Sequence, residues 1–118
     1  MEYKFQKLEV YQLALQYLEE IYKIAGGFPS SEKYNLRSQV ERAGTSVVLN
    51  IAEASTGQTD PEQHRILGLA LRSFLETVAC FDIAERQKFL DSVRRAEISS
   101  LADQVFIKLQ ALRNALRK

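Results

Sequence analysis

Glycine, proline, cysteine and histidine are all scarce: the 118 residues hold five, two, one and one of them. With so few helix breakers and no low-complexity stretch, a long disordered linker is not expected. The single cysteine, Cys80, rules out an internal disulfide and suits a reducing compartment. The single histidine, His64, leaves a histidine–carboxylate di-metal bundle without its second His. Position 61, where that motif needs Glu, is Pro. A cysteine–histidine nucleophile pair fails on distance, because positions 64 and 80 on one helix lie about 24 Å apart along its axis. No glycine-rich phosphate loop or dinucleotide fingerprint occurs. The expectation is therefore a chain with no catalytic set, cofactor, metal or small-molecule substrate.

Long apolar runs are also missing. The longest last a few residues, against the ~20 needed to span a bilayer. Met1-Glu2-Tyr3-Lys4 leads straight into mixed sequence with no secretory signal, so the expected setting is cytoplasmic, with no membrane partner.

What the chain does have is helical periodicity, in four segments. The first, about 7–25, places Leu8, Tyr11, Leu15, Leu18, Tyr22 and Ala25 at alternating spacings of three and four, the seam of a bundle helix. Gly26-Gly27 stops it and Pro29 blocks continuation. The second starts after Ser30 or Ser31 as cap, carries Leu36, Val40, Ala43, Val47, Asn50 and Ala54, and ends at Gly57. Asp60-Pro61 opens the third, with Leu67, Leu71, Phe74, Val78 and Phe81 inward to about Arg86. Asp91 or Ser92 opens the fourth, whose stripe is Ile98, Ala102, Val105, Leu109, Leu112 and Leu116. No segment alternates as a strand does. Short connections make consecutive helices antiparallel, so the fold class is all-α, an up-and-down four-helix bundle in one domain, 1–118. A long three-helix arrangement with a detached fourth is the alternative.

The first segment carries a second stripe, Val10, Ala14, Tyr17, Ile21 and Ile24. Together the two exceed the ~100° apolar stripe of a surface helix. Either a second neighbour in the bundle covers the surplus or a partner subunit does. The aromatics Tyr3, Phe5 and Tyr17 suit a subunit contact, so the five residues are read as an oligomer interface.

Polar residues interrupt the pattern. Arg42, Asn50 and Glu53 on the second segment and Arg65 and Glu76 on the third form facing rows. In a hairpin turning near 57–60, positions at one height have numbers summing to about 118. That places Glu53 beside Arg65 and Arg42 beside Glu76 as a register-fixing polar layer. Charge is uneven too: residues 88–118 hold seven basic and three acidic residues, net +4, against −3 for the rest. Arg113, Arg117 and Lys118 complement the negative end of the fourth helix. Lys88, Arg94 and Arg95 sit where positive charge opposes its dipole, which makes them the candidate phosphate contacts.

The string Phe28-Pro29…Glu32-Lys33-Tyr34-Asn35-Leu36…Gln39…Arg42-Ala43…Ser46…Asn50-Ile51-Ala52-Glu53 resembles the signature of a bacterial four-helix-bundle family. That family includes proteins encoded in intervening sequences of 23S ribosomal RNA genes, and it is similar to the accessory variability proteins of diversity-generating retroelements. The opening Phe5-Gln6-Lys7-Leu8-Glu9-Val10-Tyr11-Gln12-Leu13-Ala14 resembles its first helix. Two positions depart from the pattern: Ala54 replaces the usual Gly, and Glu41-Arg42 replaces two basic residues. The resemblance implies a homopentameric four-helix bundle associated with RNA or with a nucleic-acid-processing protein. The function expected is a non-catalytic oligomer that binds structured RNA or a ribonucleoprotein partner. The alternative is a protein-binding scaffold with no nucleic-acid role.

Overall fold

The computed structural model describes residues 1–56 and 59–116. Four helices follow one another: α1 (Glu9–Ala25), α2 (Leu36–Ala54), α3 (Asp60–Arg86) and α4 (Ser92–Ala115). Two short 3-10 turns, Lys4–Lys7 and Ser30–Glu32, precede α1 and α2. No strand occurs among the described residues. Gly57, Arg117 and Lys118, assigned roles in the sequence, lie outside them.

The helix starts follow local chemistry, with two corrections. Asp91 caps α4 as expected, its Oδ1 accepting from the Arg94 amide at 2.8 Å. The cap of α3 is Thr59, whose hydroxyl accepts from the Glu62 amide at 3.4 Å, while Pro61 occupies the first turn. Neither Ser30 nor Ser31 caps α2. Asn35 breaks the helical path at φ −127°, ψ −107°, so α2 begins only at Leu36, whose amide donates to Glu32 Oε1 at 3.3 Å.

The end of α3 is a Schellman turn. The Phe89 amide donates to the Ala84 carbonyl and the Lys88 amide to that of Glu85, at 2.8 and 3.0 Å. Lys88 holds the left-handed position at φ 63°, where glycine is usual. Lys88→Gly should therefore stabilise the chain by up to about 1 kcal/mol. Urea denaturation checks this, and a lower midpoint in the variant would contradict it.

Each helix packs on two neighbours, α1 on α2 and α4, and α3 on α2 and α4, which closes a ring measuring 43 × 25 × 23 Å. Neighbours run antiparallel. Between α2 and α3, Ser73 bonds Ser46 at 2.9 Å and Gln39 bonds Glu76 at 3.5 Å. Between α1 and α4, Glu20 meets Arg94 at 3.1 Å and Glu9 meets Lys108 at 3.3 Å. Among the described residues no helix is long and apolar enough to cross a membrane.

The largest correction concerns α1. Val10, Ala14, Tyr17, Ile21 and Ile24 are buried within the chain, with Ile21 at 0% and Tyr17 at 1% exposure. They form the inward seam and are unavailable to a partner. The stripe read as the seam is the flank: Leu8, Tyr11, Leu15 and Leu18 are half-buried and Tyr22 is exposed, with only Ala25 fully inside. Two contacts select this rotation. Gly44 on α2 admits α1 closely, since a Cβ there would lie 2.7 Å from Ile21 Cδ1 and 3.0 Å from Leu18 Cδ1. Across the core, the Tyr17 hydroxyl finds Thr77 Oγ1 at 2.8 Å, so its polar end is satisfied in the interior.

Candidate functional site

The outer face of α2 is cleft. One groove of about 720 Å³ runs between Tyr22 of α1 and the segment from Lys33 to Asn50; a more polar neighbour of about 490 Å³ continues toward Ser73 and Glu76 of α3. Both exist because α2 presents short side chains there: Ser38, Ser46 and, in the larger groove, Thr45. Asn50 lines the larger groove half-buried, its amide nitrogen donating to the Ser46 carbonyl at 2.9 Å and Oγ at 3.0 Å. Aromatic rings stand above this polar surface. Tyr34 is 87% exposed, with the Lys33 ammonium 5.4 Å from its ring centre, and Leu49 is 61% exposed nearby. Arg37 is held by Glu41 at 3.2 Å. Among the described ion pairs none uses Lys33 or Arg42.

The expected polar layer is only partly assembled. The register holds, because Ser46 and Ser73 meet where the hairpin count places them. Arg42 and Glu76 line one groove but form no ion pair within 4.0 Å; Glu76 instead accepts from Gln39. Arg65 pairs with Glu62 one turn away, both on the surface, so Glu53 is a more distant neighbour that only adds to the field at Arg65. Arg42, Glu53, Arg65 and Glu76 are all solvated, and the layer is not a buried network. Local helix neighbours win because they need no tertiary alignment to meet.

The basic trio at the start of α4 is also otherwise engaged. Arg94 reaches Glu20 of α1 at 3.1 Å and Glu97 at 3.8 Å. Contact with Lys23 and then with Arg94 holds the Glu20 carboxyl below its ordinary pKa. Arg95, whose side chain is only 15% exposed, binds Asp82 at 2.8 Å and Glu85 at 3.4 Å. These carboxylates from α1 and α3 explain the charges that oppose the dipole. Lys88 alone of the three points no charge into an ion pair among the described residues, and its backbone ends α3.

His64 sits one turn into α3. Its Nδ1 lies 3.0 Å from the Arg113 carbonyl and, when protonated there, donates to a last-turn carbonyl of α4 that also accepts the Leu116 amide at 3.2 Å. Cys80 is a core residue, and burial, with Glu76 nearby, pushes its thiol up to about 11. A thiol with that pKa is a poor nucleophile at neutral pH. Among the described residues, no three His, Cys, Asp or Glu side chains gather as a metal site would require.

Sequence reasoning missed Tyr22, Lys33 and Tyr34 as parts of one surface. The available signal was Lys33-Tyr34, a cation and an aromatic outside any apolar stripe, just before α2.

No curated protein matches the chain. The fold is similar to the crystal structure of a protein of unknown function from the S23 ribosomal protein family of Bacteroides thetaiotaomicron. The two superpose with a TM-score of 0.81 at 21% identity, over 89% of this chain and 95% of that one. The family described as 23S rRNA-intervening sequence protein matches residues 6–111, and the chain belongs to it.

Proposed function

We propose that the protein is a non-catalytic, self-assembling bundle that binds structured RNA through the groove on α2. The observation that carries this reading is one surface joining the cations Lys33 and Arg42, the exposed rings Tyr34 and Tyr22, and half-buried hydrogen-bonding groups. Phosphates attract the cations, and exposed bases stack on aromatic faces. The family description, which ties its members to ribosomal RNA genes, supports the same chemistry.

Self-assembly, as a homopentamer in line with the family resemblance, completes the proposal. With the α1 stripe inside, the apolar surface for it lies on α3, where Leu75, Ala79 and Ile83 are exposed at spacings of four. Light scattering tests this. About five times 13.5 kDa is expected, and a monomer at micromolar concentration would overturn it.

RNA binding is tested by filter retention of ribosomal RNA across a salt series. Lys33→Glu with Arg42→Glu should weaken retention and lower the slope of log K against log salt by about two. Both residues are exposed, so the melting temperature should stay unchanged. Equal slopes in variant and parent would remove the groove from consideration. Retention of protein partners alone from cells would favour the scaffold reading. Charge reversal at Arg94 and Arg95 is the poorer test, because a carboxylate at position 95 would face Asp82 and Glu85 and destabilise the fold itself.

A further inference from the structure

One wall of the α2 groove carries a carboxylate, where phosphates alone would call only for cations. Glu41 lines that wall beside Arg37, Thr45 and Tyr22. Ile21 meets Gly44, which brings Tyr22, the next residue on α1, to the height of Glu41 and Thr45 on α2. Tyr22 is 48% exposed, so part of its ring is open to a ligand.

The hydrogen-bonding groups at this end have distinct capacities. Arg37 Nε donates to Glu41 Oε2 at 3.2 Å. Among the described residues nothing donates to Glu41 Oε1, and nothing accepts from the four terminal N–H groups of Arg37. These atoms are not shut away. Among the described residues the buried side-chain atoms without partners are Gln110 Oε1 and Arg113 Nε, so Glu41 Oε1 and the Arg37 terminal nitrogens are open to solvent. Thr45 spends its hydroxyl proton on the Glu41 carbonyl at 2.8 Å and is left able only to accept. The wall therefore offers acceptors from Glu41 and Thr45, with donors from Arg37 beside them. Carboxylate and guanidinium balance each other, so the pair suits an uncharged group better than a phosphate.

That order of groups matches the edge of one base. Guanine alone among the four RNA bases carries two adjacent donors, N1–H and N2–H, followed by the O6 acceptor. A carboxylate has lone pairs enough to accept both donors while it holds Arg37, and Arg37 can donate to O6. Adenine and cytosine set their amine beside a ring nitrogen whose lone pair would face the carboxylate. Uracil has one N–H between two carbonyls.

We propose that the Tyr22 end of the groove selects an unpaired guanine of the bound RNA, its ring on Tyr22 and its N1–H and N2–H on Glu41. The proposal rests on the RNA reading and adds a base preference to it.

Fluorescence anisotropy of the full chain with short, labelled oligouridines tests it, the central base being G, A, C or U. The guanosine probe should bind about tenfold tighter than the others, the scale of one bidentate base contact. Inosine, which lacks the N2 amine, should lose most of that preference, and 7-deazaguanosine, which keeps the whole Watson–Crick edge, should retain it. Glu41→Gln should bring the ratio of guanosine to the other probes close to one. The lost charge acts on every probe alike, so the ratio reports the base contact. Tyr22→Ala should weaken all four probes by a similar factor, because stacking tolerates any base. The inosine comparison uses the parent chain and holds even where a variant fails to fold. Equal binding of the four central bases by the parent would overturn the guanine preference and leave the RNA reading in place, as would retention of ribosomal RNA with no probe bound. Failure of ribosomal RNA and of every probe would overturn both. Free GMP binding as tightly as the guanosine probe would overturn RNA as the source of the base.

Discussion

Ile21→Glu is expected to unfold the chain, not to alter its assembly. Ile21 is fully enclosed and packs against α2 at Gly44, so the new carboxylate is cut off from water. It must be buried charged or buried protonated, and the isoleucine packing is lost in either case. The cost should exceed about 4 kcal/mol, comparable with the roughly 5–15 kcal/mol that holds a typical domain together. Circular dichroism with a thermal ramp is the measurement. A cooperative transition within a few degrees of the parent's, with a smaller particle in solution, would return Ile21 to a subunit interface.

Alkaline pH should destabilise the protein sharply. Burial raises the Tyr17 phenol from 10.0 to about 12, against the opposing Thr77 hydrogen bond and the field of Arg95. Burial also raises the Cys80 thiol from 9.0 to about 11. Both groups are neutral in the folded chain, and the unfolded chain loses their protons first. Their effect on stability is therefore absent below about pH 9. Above it the unfolded state is increasingly favoured, through about pH 11 for the thiol and about pH 12 for the phenol. By about pH 11 the combined loss is on the order of 3–4 kcal/mol. Urea denaturation at about pH 7.5 and about pH 11 should show this, and the double variant Tyr17→Phe, Cys80→Ala should recover most of it. An unchanged loss in the double variant would remove Tyr17 and Cys80 as its cause.

The helices, their order and the α2–α3 register were legible in the sequence, because each depends on neighbours a few positions apart. Asp91 accepts the amide of Arg94, Pro61 suits only a first turn, and alternating threes and fours mark a helix face wherever it docks. The hairpin count placed Arg42 level with Glu76 and Glu53 level with Arg65, and Ser46 and Ser73, whose numbers sum close to the same total, do meet. It fixed height along the axes, and height alone does not make an ion pair. Arg65 chose Glu62, one turn away.

Rotation about the helix axis was decided elsewhere. On α1, Leu8-Tyr11-Leu15-Leu18 and Val10-Ala14-Tyr17-Ile21 have the same period and similar composition, so no property of α1 alone says which faces inward. Gly44 on α2 and Thr77 on α3 decide it. The first removes the side chain that would hold Ile21 away, and the second satisfies the Tyr17 hydroxyl. The fates of Arg94 and Arg95 were settled the same way, by carboxylates on α1 and α3 that are distant in sequence. Local patterning determines that a helix forms and where it stops. Which face it buries, and which charges it neutralises, depends on side chains brought together by the tertiary packing.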